Sequence, residues 1–574
     1  MLRILERQSV AHKTLRSLAT MAQHSGAGAQ AQAKHQKQMQ AFLTSGATDA
    51  VWVHKDPYSK RPQFGSLDAD TRAEVCVVGS GITGASVAYE LVARGHEVVM
   101  LEARGVLGGE TGRTSGHLSN ALDDGYVDVR KKHGQAGASA AAESHTWAIA
   151  RVGEVAAKLG IECEYRKVPG YEVSQYRRSD EKNHTKDVES LRREADLAKE
   201  LGIDAKYNDD LAVKGWNGSV DQRGGIIFGG QGAFHPTIYV GGLLGWLKEQ
   251  PNFRCFTDTR VMSITEGSSQ SATGTDEVVK VETASGRVVQ CAHAVQATCI
   301  PLHKLGLVVE NTFYRTYAIA MRVPRGSVED CFIYDTAEAY KYIRLTACDD
   351  ADDYMIVGGC DHEVGQEDPG GRFDELETWT RERFLCAGAV DYRWSGHIVE
   401  PVDYMAFIGR DQGRQRTYVG MTGDSGNGLT HGVLAGRLIA DLVEGKENPW
   451  ESLYSPSRVA SIVKSAGEAI RDNLHDNMQY KRLLQSDITD IEDLAAGSGG
   501  VMTEGMGTKV AVYKGEDGSV KRMSALCPHL AGVVCWNPAE KSWDCPVHGS
   551  RFDASGTCLN GPAKGNLKLM DSKA

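Results

Sequence analysis

Along most of this chain, apolar residues come in short unbroken runs separated by glycine-rich turns. The clearest run, Val75-Cys76-Val77-Val78, leads through Gly79-Ser80-Gly81-Ile82-Thr83-Gly84 into an alanine-rich helix ending near Arg94-Gly95-His96. A second apolar run then ends on Glu102. Runs of this kind mark strands buried on both faces, the strands of a parallel sheet flanked by helices. Further strands are predicted at 293–298, 316–321, 341–345 and 355–359, and from Tyr418 a strand and glycine loop feed a helix over 433–443. Ile462, Val463, Ala466, Ile470, Leu474 and Met478 recur at helical spacing and predict a helix packing back on the main domain. Residues 487–500, ending in Gly497-Ser498-Gly499-Gly500, read as a linker. From about 501 onward apolar and polar positions alternate in short stretches, as in a small β domain.

At 574 residues the chain accommodates more than one domain, and its net charge of −11 gives no hint of nucleic-acid binding. No apolar run reaches the length of a membrane span. Thirteen cysteines without a secretory signal argue for a reducing compartment. Residues 1–45 are set apart. There Arg3, Arg7, Lys13, Arg16, Lys34 and Lys37 are opposed by Glu6 alone, and Leu2, Leu5, Leu15 and Leu18 fall on one helical face. The segment reads as a mitochondrial matrix transit peptide, or else as a disordered basic tail on a cytoplasmic protein.

The first glycine motif is G-x-G-x-x-G between a strand and a helix, with Glu102 at the end of the second strand. In that setting it signals dinucleotide binding. The glycines let backbone approach a pyrophosphate at a helix N-terminus, and the carboxylate accepts ribose hydroxyls. No second strand-flanked copy follows, as a two-dinucleotide reductase would need. After Glu102 comes a glycine- and hydroxyl-rich stretch, Gly108-Gly109-Glu110-Thr111-Gly112-Arg113-Thr114-Ser115-Gly116-His117, where a plain NAD domain would turn into its next helix. Near the other end, Gly423-Asp424-Ser425-Gly426-Asn427-Gly428-Leu429-Thr430-His431 opens a helix whose N-terminus could face a flavin carbonyl.

A second kind of chemistry closes the chain. Cys527-Pro528-His529, a gap of fifteen residues, and Cys545-Pro546-Val547-His548-Gly549-Ser550 each supply one thiolate and one imidazole. Two mixed pairs suit a two-iron cluster in which the cysteines hold one iron and the histidines the other. Structural zinc is the alternative, although its short pairs are usually Cys with Cys and His with His.

With Phe552 and Gly561-Pro562-Ala563 following, this end of the chain resembles the Rieske [2Fe-2S] family. High-potential members carry a loop disulfide. Gly532 and Val547 stand at those places here, and Cys535 and Cys558 are out of register, which implies no disulfide and the lower part of a range of roughly −150 to +300 mV. Residues 71–455 resemble the FAD-binding fold of the D-amino-acid oxidase superfamily. The resemblance rests on both glycine segments, Phe234-His235-Pro236 with Tyr239, the strand at 293–298, and Trp394-Ser395-Gly396 through Glu400-Pro401-Val402-Asp403. The block Glu447-Asn448-Pro449-Trp450 with residues 453–458 is similar to a subgroup in which such an oxidoreductase is fused to a C-terminal Rieske domain.

The resemblance implies an α/β, Rossmann-like FAD domain with an interleaved α+β substrate domain and a small all-β Rieske domain. The expected boundaries are 46–455 for the oxidoreductase, with 123–224 and 306–394 as its substrate part, then helix and linker over 456–500 and the Rieske domain over 501–574. Implied FAD contacts are Gly79, Gly81, Ile82, Thr83, Gly84, Glu102 and Ala103 at the first motif, and Thr114, Ser115 and His117 after it. Val261, Ala297 and Thr298 follow, then Gly423, Gly428, Leu429 and Thr430. His117 and His431 are also candidates for a covalent or hydrogen-bonded link to the ring, against the plainer reading of satisfied polar residues. Arg344 matches the strand where amino-acid oxidases hold a substrate carboxylate, with Tyr342 on the same face. The plain alternatives are a strand-edge Arg and a core Tyr.

A flavin takes two electrons and the cluster carries one, so their fusion implies stepwise discharge to an external one-electron partner and favours a dehydrogenase over an oxidase. The expected substrate is an amine or amino acid oxidised at its C–N bond. An electron-transfer protein working between an external partner and FAD, and a non-catalytic binding or assembly protein, are the alternatives.

Overall fold

The computed structural model describes residues 42–271, 274–302, 311–367, 369–458 and 480–570. The basic segment up to residue 41 and the expected helix at 462–478 lie outside the described residues.

Thr71–Val78, Val98–Leu101, Phe253–Phe256, Val288–Gln296 and Thr417–Thr422 form the parallel core of an eight-stranded sheet, with Phe407–Arg410 antiparallel at one edge. The strand ends Val75 to Val78 and Val98 to Leu101 are buried because helices cover the sheet, as the unbroken apolar runs require. The helices Ile82–Ala93 and Gly428–Val443 pack directly on each other. Gly436 permits this contact, since a Cβ there would lie 2.9 Å from the Ser86 carbonyl oxygen.

A second, nine-stranded sheet stands over the mouth of the first. Its path runs Val390–Pro401, Asn311–Pro324, Asp352–Glu363, Tyr342–Ala347, Phe332–Asp335, Arg166–Val173, Gly225–Ala233 and His117–Leu118. Two expected boundaries change here. Gly225–Ala233 and residues 395–401 are expected in the FAD part, but Gly225–Ala233 pairs with Arg166–Val173, and 395–401 continue the strand Val390–Pro401 beside Asn311–Pro324, so both belong to the second sheet. The strand expected over 355–359 runs from Asp352 to Glu363, and its His362 stacks on Tyr317.

The C-terminal domain consists of a three-stranded sheet, Ser498–Glu504, Thr508–Lys514 and Val520–Ser524, and a four-stranded sheet from Cys535–Asn537 to Cys558–Asn560. Val501, Ala511, Trp543 and Phe552 fill its core. The expected linker proves to be part of this domain. Asp487 pairs with the backbone of Val501, and Leu494, Ile488 and Ile491 pack beside Val510 and Val512. The N-terminal boundary moves as well. Thr44 and Ser45 are buried, and the Ser45 carbonyl accepts a 3.0 Å hydrogen bond from Arg551 of the C-terminal domain. All thirteen cysteines are free thiols.

Candidate active site

A cavity of about 840 Å³ runs from the C-terminal ends of the parallel strands to the second sheet, and residues 559–564 of the C-terminal domain complete its wall. At the nucleotide end the first glycine motif makes a bare backbone cradle. Gly79 takes φ +107°, and a Cβ there would lie 2.3 Å from the Ala297 carbonyl oxygen. The helix at Ile82 points its N-terminus into this cradle, the arrangement that receives a pyrophosphate. Glu102 is locked by hydrogen bonds from the Ser80 amide, the Ser80 hydroxyl and the Arg104 amide, at 3.0, 2.8 and 3.0 Å. It faces the cavity where ribose hydroxyls would lie. Residues and space fit FAD.

The other implied contacts divide. Gly79, Gly81, Ile82, Thr83, Glu102, Ala103, Thr114, Ser115, His117, Val261, Ala297, Thr298, Gly428 and Leu429 line the cavity. Gly84, Gly423 and Thr430 do not. Gly84 abuts the Gly79 carbonyl, Gly423 at φ +76° turns against Pro401, and the Thr430 hydroxyl bonds the Ser119 carbonyl. His117 lines the wall as a neutral ring, its pKa pulled down to about 3 by burial and by the nearby Arg344 guanidinium. His431 lies behind the wall, with its Nε2 3.1 Å from that of His145.

Of the two candidate substrate residues, Tyr342 lines the cavity, with its hydroxyl 3.1 Å from that of Thr316. Arg344 does not. It is fully buried behind the wall, donates to the carbonyls of Gly116, Phe234 and Leu345 to fix the backbone before His117, and keeps one terminal nitrogen buried without a partner. Around Tyr342 stand His117, Tyr340 and Tyr334, with ring centroids 5.3 Å apart for His117 and Tyr342 and 5.5 Å for Tyr340 and Tyr342.

In the C-terminal domain the two mixed loops converge. Cys527 and Cys545 are buried against each other, and the His529 and His548 rings stand 5.0 Å apart. The backbone of His529 and Leu530 hydrogen-bonds the Cys527 sulfur, and that of Val547 and His548 the Cys545 sulfur. The Cys527 pKa falls to about 7, led by the hydrogen bond from Cys545. Nδ1 of His529 is buried without a hydrogen-bond partner, a free lone pair for a metal. The four side chains fit a [2Fe-2S] group. Gly532 and Val547 face each other, a Cβ on the glycine falling 2.5 Å from the valine Cγ2.

Residues 74–442 match the family model of the FAD dependent oxidoreductases, the DAO family, and residues 486–571 match the Rieske [2Fe-2S] domain. The chain belongs to the FAD dependent oxidoreductase family. This oxidoreductase therefore binds FAD and carries a Rieske [2Fe-2S] cluster at its C-terminal end. It is 26% identical over 518 residues, 89% of this chain and 96% of the relative, to YhfW of Bacillus subtilis, a protein named for a Rieske 2Fe-2S centre. It is also 26% identical over 409 residues to gamma-glutamylputrescine oxidoreductase of Escherichia coli, covering 67% of this chain and 87% of that one. Its fold is similar to glycine oxidase from Geobacillus kaustophilus, with a TM-score of 0.54 at 16% identity over 67% of this chain and 98% of that one. L-proline dehydrogenase from P. horikoshii gives 0.52 at 17%, over 68% and 99%.

Several residues that shape this oxidoreductase were not singled out from the sequence. Glu540, in the Rieske domain, is fully enclosed and lies 2.5 Å from Arg113 and 3.6 Å from Arg315 of the FAD-binding part. Its pKa falls to about 2, since Arg113, Arg315 and Arg551 outweigh the desolvation that opposes them. Glu110 is held at about 2 in the same way, against desolvation, by Arg315, His397 and Arg551, and it accepts from Asn560 at 2.8 Å. His397 lines the cavity, and a Cβ on Gly549, the residue after His548, would lie 2.9 Å from its Nε2. Arg113 and Arg315 were legible only as charges, because Glu540 lies 427 and 225 positions away in the chain.

Proposed function

We propose that this chain is a dehydrogenase which oxidises the C–N bond of an amine or amino acid at the flavin and delivers the electrons singly, through the Rieske cluster, to an external acceptor. One observation carries the reading. Residues 559–564 of the Rieske domain are part of the cavity's wall, and the loop of His548 abuts His397 in that wall, so the cluster-ligand loop and the cavity meet at this histidine.

FAD supplies a two-electron acceptor, and the cluster a one-electron carrier. The chain itself orients the substrate and handles its proton. Tyr342, Thr316 and Trp394 wall the end of the cavity under the second sheet and exclude water. A protonated amine must first lose one N–H proton. Asp123, whose pKa burial and the nearby Asp361 and Asp424 raise to about 7, takes it from the cavity. Bound FAD would supply the acceptor for the two electrons and one proton that the C–H bond beside nitrogen gives up as C=N forms. Gamma-glutamylputrescine oxidoreductase among the relatives supports C–N chemistry by its name.

The test is Cys545→Ser in the full chain. It is expected to remove the cluster signal, retain FAD and flavin reduction by substrate, and slow turnover with a one-electron acceptor by about 100-fold or more. Unchanged turnover without the cluster would overturn the relay.

A further inference from the structure

Resting on that reading, we propose that the substrate is a cationic amine with a second positive centre remote from the nitrogen being oxidised, a diamine or polyamine without a carboxylate beside the reacting carbon. The cavity's charge distribution assigns this class. Six Lys and Arg side chains line the cavity. Four of them, Arg104, Arg113, Arg260 and Lys564, belong to the nucleotide end and the Rieske contact. Of the others, Lys131 is paired with Asp128 at 2.6 Å and Arg193 is exposed to solvent. Arg344 is not among the lining residues: it lies behind the wall with Nε and one terminal nitrogen on backbone carbonyls, and its other terminal nitrogen is buried without a partner.

Carboxylates take its place. Asp123 opens onto the cavity beside Tyr340, and farther from Tyr342 the wall carries Glu172, Asp187 and Glu194. The path between these two regions is continuous. Tyr342 and Tyr334 each stand beside His117, and Tyr334 is the register partner of Glu172 in the second sheet. Burial and its neighbours Glu194, Asp187 and Asp123 push the Glu172 carboxyl up to about 8, so these acids repel one another where a cation would be stabilised. The intervening wall is aromatic, with Tyr334, Tyr340, Tyr342 and His117 presenting ring surfaces that attract ammonium groups and would not attract an anion. An amine nitrogen at Asp123 and Tyr342 and a second ammonium at Glu172 would satisfy both ends of this lining.

Oxidised, anaerobic holoenzyme distinguishes the classes with three probes on one carbon skeleton: 1,5-diaminopentane, pentylamine and lysine. Flavin bleaching is expected to half-saturate with the diamine at a concentration at least about 10-fold below that for pentylamine, each tenfold being one modest ion-pair's worth of binding. Lysine, the same diamine with a carboxylate added, is expected to be the weakest. Glu172→Gln is expected to raise the diamine's half-saturation about 10-fold and leave pentylamine's unchanged, with Asp187→Asn as the second variant should the first fold poorly. Calorimetric titration of the diamine gives the same comparison without turnover. Lysine acting at or below the diamine's concentration, or both variants binding diamine as well as the parent, would overturn the proposal. If the diamine binds through Glu172 but no probe bleaches the flavin, the cation site stands and the oxidation reading falls. If monoamines or amino acids bleach it and the diamine binds no better, the reverse holds.

Discussion

Two groups of acids in this oxidoreductase, one buried and one facing the cavity, behave in opposite ways. Where the Rieske domain meets the FAD-binding part, Glu540 and Glu110 face arginines and are held near pKa 2. At the substrate end Glu172, Asp124 and Asp123 are raised to about 8, 8 and 7 by burial and then by one another or by neighbouring acids. The difference lies in the company each group keeps, since desolvation alone raises a carboxylate, and fixed opposite charges with hydrogen bonds to the ionised form reverse the sign. Charges compensated inside the fold serve the fold. Charges left to repel one another beside a cavity are suited to a ligand.

Breaking the paired side should cost most. Glu540→Ala leaves Arg113 and Arg315 buried without their carboxylate, and the expected loss is about 3–5 kcal/mol, the scale for one partner removed from a buried pair. Denaturant titration of the holoprotein measures it, and a loss below 1 kcal/mol would mean that the domain contact is not held by this pair. Arg344→Met tests the claim that this guanidinium serves structure. It should destabilise by about 1–3 kcal/mol, since carbonyls at Gly116 and Phe234 lose their donor, while diamine half-saturation stays within about twofold.

The smallest effect is a matter of pH. Glu172 has its pKa raised by folding, so its contribution is fully present below about 4.5 and is lost as pH rises through about 8. Glu540 has its pKa depressed, so its contribution is present above about 4.5 and is lost as pH falls toward about 2. Thermal melts of the holoprotein should decline on both sides. Glu172→Gln should flatten the alkaline side alone and Glu540→Gln the acid side alone, and a variant that moves the wrong side would remove the contrast.

Much of this was legible without coordinates because it is local. The glycines from Gly79, the acid Glu102 and the mixed loops at Cys527 and Cys545 each do their work within a strand, a turn or a short loop, and spacing alone reports it. Gly84, Gly423 and Thr430 show where local reading overreaches. They sit inside the right motifs, yet each supports a neighbouring backbone segment from behind the cavity wall. The segment 487–500 reads as a linker because it ends in Gly497-Ser498-Gly499-Gly500, and only the burial of Leu494 with Val510 and Val512 shows it to be part of the Rieske domain.

The sequence by itself determined the two cofactors, the family and the order of domains, since backbone cradles and ligand pairs are written in contiguous residues. Tertiary structure decided which charges meet. Arg344 faces its own backbone, Glu540 pairs with an arginine more than 400 residues earlier, and Glu172 confronts other acids across a cavity. The sign of each group's interaction depends on distances that only folding sets, because a Coulomb energy varies with separation and surroundings and not with position along the chain.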